Sequence, residues 1–219
     1  MNSFKNTQPD EADEELILEK APKNRFSRVI PVRQESFYMY DEIGDPRNYL
    51  ELIHLIRTLE PHDNLTIHLN TPGGRLDTGI AILSAIAECQ GTITMSLDST
   101  AASMGAILFL AGHQYVVHDH SMLMFHTFSG GFYGKSGDVD KQMQAYKRQF
   151  SLLMKKVCGK FLTADEIARI DKGEEMWFMS DAIGKRLKAI MKDQPTVGET
   201  EVPVPPKKKT KTPPPTTEE

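Results

Sequence analysis

The sequence predicts an α/β fold with parallel strands, and three observations predict it. Leu65-Thr66-Ile67-His68-Leu69-Asn70 alternates apolar and polar side chains, as a strand with one buried face does. The next segment, near Asp77 to Glu88, is apolar nearly all round (Ile80, Ala81, Ile82, Leu83, Ala85, Ile86), which suits a helix packed between layers. A second short strand, Ile93 to Leu97, and a second apolar helix succeed it through brief links, and strand, helix, strand, helix in that rhythm argues for βαβ units.

The remaining elements fit that frame. Phe37 to Tyr40 reads as a strand, and Asp45-Pro46 opens a helix with Tyr49, Leu52, Ile53, Ile56 and Leu59 at helical spacing. Pro72-Gly73-Gly74 ends the strand that begins at Leu65. Gln114 to His118 and Ser121 to Phe125 are strand-like, and Ser129-Gly130-Gly131-Phe132-Tyr133-Gly134 reads as a hairpin-like, glycine-rich stretch. A long helix is expected from about Asp138 to Cys158. Its apolar residues Val139, Met143, Tyr146, Phe150, Leu153 and Val157 form a heptad-like seam, which calls for another helix in the same chain or in a neighbouring subunit. Thr163 with Glu166 forms a capping box at the start of a further helix, and Trp177 to Gly184 reads as a serine-capped apolar helix.

Length and composition set limits on function. The 219 residues suit one domain with tails, and 39% hydrophobic content supplies a core. Residues 1–24 are acidic and polar and read as a flexible arm; residues 195–219 are rich in Pro, Lys, Thr and Glu and read as a disordered tail, leaving 25–194 as the domain. The formal net charge of −4 gives no basic field for nucleic acid, and the one lysine run, Lys207 to Lys211, sits in that tail. Cys89 and Cys158 have no metal-site spacing and are expected to be reduced thiols. The longest apolar run, near Met104 to Ala111, is too short to span a bilayer, and the first residues lack a signal-peptide pattern. The expectation is a cytoplasmic protein with no membrane partner, no metal and no cofactor.

The candidate chemistry centres on Thr100-Ala101-Ala102-Ser103-Met104-Gly105. A strand runs into small residues, then a serine, then an apolar helix, and small residues let backbone and substrate approach closely. A serine in this setting also serves as a plain helix cap. To act as a nucleophile its hydroxyl needs a base in hydrogen-bond reach, a group to orient that base, and N–H donors for the oxyanion. His126 ends the strand Met122 to Phe125 beside the glycine-rich stretch, at the kind of strand end where α/β proteins place chemistry. The Gly73-Gly74 turn, after another strand end, can turn N–H groups outward. His54, His62, His68, His113, His118 and His120 have no comparable setting.

Taken in order, Asn70-Thr71-Pro72-Gly73-Gly74, Ala101-Ala102-Ser103-Met104-Gly105, Met124-Phe125-His126, the glycine-rich segment, the long helix, Leu162-Thr163 and Phe178-Met179-Ser180 resemble the proteolytic subunit of Clp protease over roughly residues 30 to 190. The resemblance implies a ClpP/crotonase-type spiral of βαβ units with a long handle helix interleaved between subunits, in rings of seven stacked with the sites inside. It implies a serine endopeptidase in which Ser103 is nucleophile, His126 base, Asp171 the acid, and the N–H groups of Gly74 and Met104 the oxyanion hole. Gly130, Gly131 and Phe132 would line the groove for an extended polypeptide substrate. Asp171 needs a one-residue gap before Phe178, and Glu174 or Glu175 stand as alternatives.

Two departures bear on partners. Ser99-Thr100 replaces the family's usual Gly-Gln, and the acidic arm does not resemble the family's apolar pore segment, on which docking of an AAA+ unfoldase ATPase depends. Such drift is closer to the ClpP-like peptidases of bacteriophages. Beside the peptidase, two other readings stand: a non-catalytic ring or scaffold subunit, and a crotonase-like acyl-CoA enzyme that uses paired N–H groups without a nucleophile.

Overall fold

The computed structural model describes residues 29–131 and 133–192. The acidic arm, the Pro/Lys tail and Phe132 lie outside the described residues. The described residues form a six-stranded sheet: β1 (Gln34–Met39), β2 (Asn64–Thr71), β3 (Thr92–Ala102), β4 (Gln114–Val117), β5 (Met122–Phe125) and β6 (Met176–Met179). Among the described residues six α-helices join them: α1 (Leu50–Arg57), α2 (Leu76–Glu88), α3 (Met104–Phe109), α4 (Ser136–Leu153), α5 (Ala164–Asp171) and α6 (Ser180–Lys192). This is the expected α/β architecture of mostly parallel strands, consistent with the ClpP-type fold.

The strand order is β1-β2-β3-β5-β6, with β4 also on β3. Eleven-residue β3 is the trunk: Thr94 to Leu97 pair with β4, and Thr100 to Ala102 pair with β5. Its length exceeds the expected 93–97, because Asp98 and Ser99 stay extended and Thr100 to Ala102 rejoin the ladder by pairing with β5. One face of the sheet is sealed by Leu65, Ile67, Leu69, Ile93, Met95 and Leu97, each about fully buried. The other face carries Tyr38, Tyr40 and Val116, all exposed.

Several elements begin as the sequence dictates. Asp45 caps a 3-10 turn (Pro46–Tyr49) by accepting from the Arg47 N–H, and α1 continues from it. Thr163 and Glu166 form the reciprocal capping box of α5. Arg186 on α6 locks that end, donating to Phe161 O at 2.8 Å and pairing with Glu166 at 2.7 Å.

Three expectations need correction. Met176 to Met179 is a strand, not the start of a helix, and it runs antiparallel to β5, so the sheet is not wholly parallel. Four apolar residues in a row carry no period, and Ser180 marks the start of α6 only. Residues 126–131 form no hairpin: the backbone there joins no ladder. The long helix reaches Cys158 but is not α-helical throughout, α4 passing at Met154 into one π-helical turn (Met154–Cys158). Its seam is half-buried at Val139 and Met143, exposed at Tyr146 and buried only at Phe150, so among the described residues its first turns are only partly covered.

Candidate active site

Parallel pairing of β3 with β5 assembles the site. Ala102 stands opposite Met124, and the Ser103 N–H donates to Met124 O at 2.8 Å. His126, two residues beyond Met124, therefore arrives beside Ser103, and its Nε2 lies 2.8 Å from Ser103 Oγ. Both side chains are half-buried, close to the separation a proton transfer requires.

Ser103 sits between β3 and α3 with φ 54° and ψ −121°. That conformation costs a residue with a side chain about 1–3 kcal/mol, and it persists only where packing enforces it. Here the packing is the Pro-Gly-Gly turn. A Cβ on Gly73 (φ +93°) would lie 2.5 Å from Ala102 O, 2.7 Å from Ser103 Cβ and 3.0 Å from the Met104 nitrogen. Only glycine allows the turn to press against the serine this closely. Gly74 (φ +149°) is pinned on both sides: Ile43 N–H donates to Gly73 O, and Arg75 N–H donates to Ile43 O, each at 2.8 Å. The Gly74 N–H takes no part in that bridge. The Met104 N–H is the first of α3 and has no carbonyl one turn back to bond. Among the described residues neither N–H donates to a backbone carbonyl, and both residues line one cavity with Ser103.

A cavity of about 480 Å³ opens onto these groups, lined by Gly74, Ser103, Met104, Ile107, Phe128 and Tyr146 among others. Gly130 and Gly131 form part of its wall. Phe128 is held by ring contacts with Tyr146 and Phe150 of α4, at centroid separations of 6.5 and 5.7 Å. The pocket is the right size for a peptide side chain with its flanking backbone.

The acid is where sequence and structure part. Asp171 ends α5, is exposed, and makes no hydrogen bond or ion pair with His126 among the described residues. Glu174 is taken by Arg169 through two hydrogen bonds, which hold its carboxyl below the usual value. Glu175 directly precedes Met176, the partner of Phe125, so the antiparallel register continued by one residue sets Glu175 across from His126. Its carboxylate accepts from Trp177 Nε1 at 3.4 Å.

A second polar cluster was not legible in the sequence. On the open face of the sheet, Asp98 accepts from Ser96 Oγ and Tyr40 OH, both at 2.5 Å, and lies 3.0 Å from His68 Nδ1. His118 Nε2 approaches Ser96 Oγ to 3.3 Å, and Tyr38 stacks on His68 at 4.5 Å. Burial acts to raise the Asp98 carboxyl, but hydrogen bonds from Ser96, Tyr40 and His68 outweigh it and hold the group below its ordinary value. The alternation that puts His68, Ser96 and Asp98 on one face was the available signal; pairing of His68 with Ser96 across β2 and β3 was not.

A comparison with known families bears on the fold. The Clp protease family model matches residues 32–180, which takes in all six strands but only the first residue of α6. Among the described residues no helix is long and apolar enough to cross a membrane. With the fold, the strand-end serine and the matched span in agreement, the chain belongs to the Clp protease family.

Proposed function

We propose that this protein is a serine endopeptidase that cleaves extended polypeptide through an acyl-enzyme. Family membership supports a ClpP-like peptidase; the catalytic assignment is carried by one observation, the 2.8 Å contact between Ser103 Oγ and His126 Nε2. Ser103 attacks the peptide carbonyl as His126 takes its proton, and the N–H groups of Gly74 and Met104 receive the oxyanion. His126 then returns the proton to the leaving amine, and water repeats the cycle on the ester. Gly130 and Gly131 offer backbone to the extended substrate, with little demand on its side chains. No cofactor enters the scheme.

The acid comes from the corner between α5 and β6. Asp171 is our assignment, on the resemblance, and it requires the corner to close on His126 when substrate binds or subunits assemble. Glu175 is the second reading, favoured by the strand register. Asp171→Asn and Glu175→Gln separate them: the variant of the true acid loses kcat by about 10³ or more with KM little changed, and the other keeps its activity.

The working form in this reading is a homo-oligomer of stacked heptameric rings, in which the uncovered face of α4 meets a neighbouring subunit. An AAA+ unfoldase would deliver the substrate, in the cytoplasm of a bacterium or a phage-infected host. The deciding experiment is labelling with a fluorophosphonate probe, with the modified residue located by peptide mapping. Modification at Ser103 that disappears in Ser103→Ala is the expected result; labelling that survives the substitution, or none at all in an assembled and folded protein, overturns the hydrolase reading in favour of a scaffold.

A further inference from the structure

A second cavity, of about 510 Å³, lies away from Ser103 between α2, the end of α3, the π-helical turn after α4, and α6. Its walls are mostly apolar, with Ile80, Leu83, Leu110, Leu153, Val157 and Ile190, and Ser84 and His113 add polar groups. Lys156 and Lys160 stand at its border, and no Asp or Glu lines it. Both lysines are exposed, and among the described residues neither makes an ion pair. An apolar trough beside two uncommitted cations fits an apolar segment flanked by carboxylates.

The acidic arm carries such a segment. Within residues 1–24 the sole apolar triplet is Leu16-Ile17-Leu18, preceded by Asp13-Glu14-Glu15 and succeeded by Glu19. We propose that this acidic-apolar segment is the occupant of the cavity, its leucines and isoleucine entering the trough and its carboxylates meeting Lys156 and Lys160.

Chain geometry permits it. Arg33 is tied to the start of β2, its N–H donating to Asp63 and its carbonyl accepting from Asn64. The starts of β2, β3 and β4 lie in turn along the same edge, where Thr92 N–H donates to Asp63 O and His113 N–H to Ile93 O. Cys89, Gly112 and His113 of the cavity border that edge. From β1 to β4 is three strand spacings, roughly 14 Å. The residues between Leu18 and Val29 reach up to roughly 36 Å when extended. A tethered segment also has an effective concentration near the millimolar range, so a weak groove suffices to hold it.

The cavity contains its own reporter. Cys89 lines it and is half-buried, whereas Cys158 is fully buried and its thiol is pushed up to about 12 by that burial. The test is the rate of Cys89 alkylation by iodoacetamide, read by mass spectrometry on the full-length protein, with Cys158 as the internal check on folding. L16D/I17D/L18D is expected to raise the Cys89 rate by about tenfold, the change for release of a segment docked nine-tenths of the time. K156E/K160E is expected to do the same, and adding E14K/E15K to it is expected to restore protection. Equal rates in the parent and the triple variant overturn the docking, as does protection that depends on protein concentration and ignores Leu16 to Leu18, which would assign the trough to a second copy. The readout is a thiol rather than turnover, so failure here leaves the peptidase reading standing, and the reverse.

Discussion

Two clusters of serine and histidine stand on this sheet, and only one has the surroundings of a reactive centre. Ser103 is placed where β3 ends, on a strained backbone, with its hydroxyl toward His126, two idle N–H groups near it and a cavity in front. Ser96 lies within β3 on regular backbone, 1% exposed, and its hydroxyl is spent on Asp98. Residue types are shared; the contrast lies in backbone strain, unused donors and room for a substrate. A hydroxyl that already donates to a carboxylate has no proton to offer an imidazole, and a strand interior has every N–H in the ladder. The proposed chemistry therefore sits at the break in the ladder.

The sharpest way to break that contrast is to remove each serine in turn. Ser103→Ala is expected to lower peptidase kcat by a factor of about 10⁴ or more and Ser96→Ala to leave it within about twofold, measured on a fluorogenic peptide. Comparable losses in both would mean that the open-face cluster takes part in catalysis. Next in size, Gly73→Ala attacks the packing that enforces the Ser103 conformation. Its Cβ would sit 2.5 Å from Ala102 O, so activity is expected to fall at least about tenfold, with a stability loss of about 1–3 kcal/mol by urea titration. Unchanged kcat would show that the turn is not responsible for holding the serine.

The smallest effect concerns the Asp98 cluster as a structural knot. Because the folded state holds the Asp98 carboxyl below its ordinary value of 3.8, its contribution is present above that pH and is lost as pH falls further, through the depressed folded value. Asp98→Asn is expected to cost on the order of 1 kcal/mol at neutral pH and to flatten the acid limb of the stability curve, with peptidase activity kept. An acid limb identical to the parent's would remove Asp98 from the account.

Legibility in the sequence depends on how far apart the cooperating residues lie. Ser103 and His126 could be singled out because each ends a strand beside small residues, and the capping box at Thr163 is a purely local signal. β6 was hidden because Met176-Trp177-Phe178-Met179 is uniformly apolar, and only its antiparallel partner decides that it is a strand. The Asp98 cluster draws on β1, β2, β3 and the end of β4, so it exists only once parallel register brings Tyr40, His68 and His118 together. The acid draws on both kinds of signal, motif order pointing to Asp171 and strand register to Glu175, and both residues are exposed.

The trunk-like β3 has one more consequence. The Ser103 hydroxyl is rooted at the tip of the sheet's central strand, whereas the facing wall, residues 127–131, is bound into no ladder. In the proposed reading the site works as a vice with one jaw fixed in the sheet and the other outside it: aim is set by the first, and extended chains of unrelated sequence meet backbone at the second, a division of labour suited to a general shredder rather than a selective cutter.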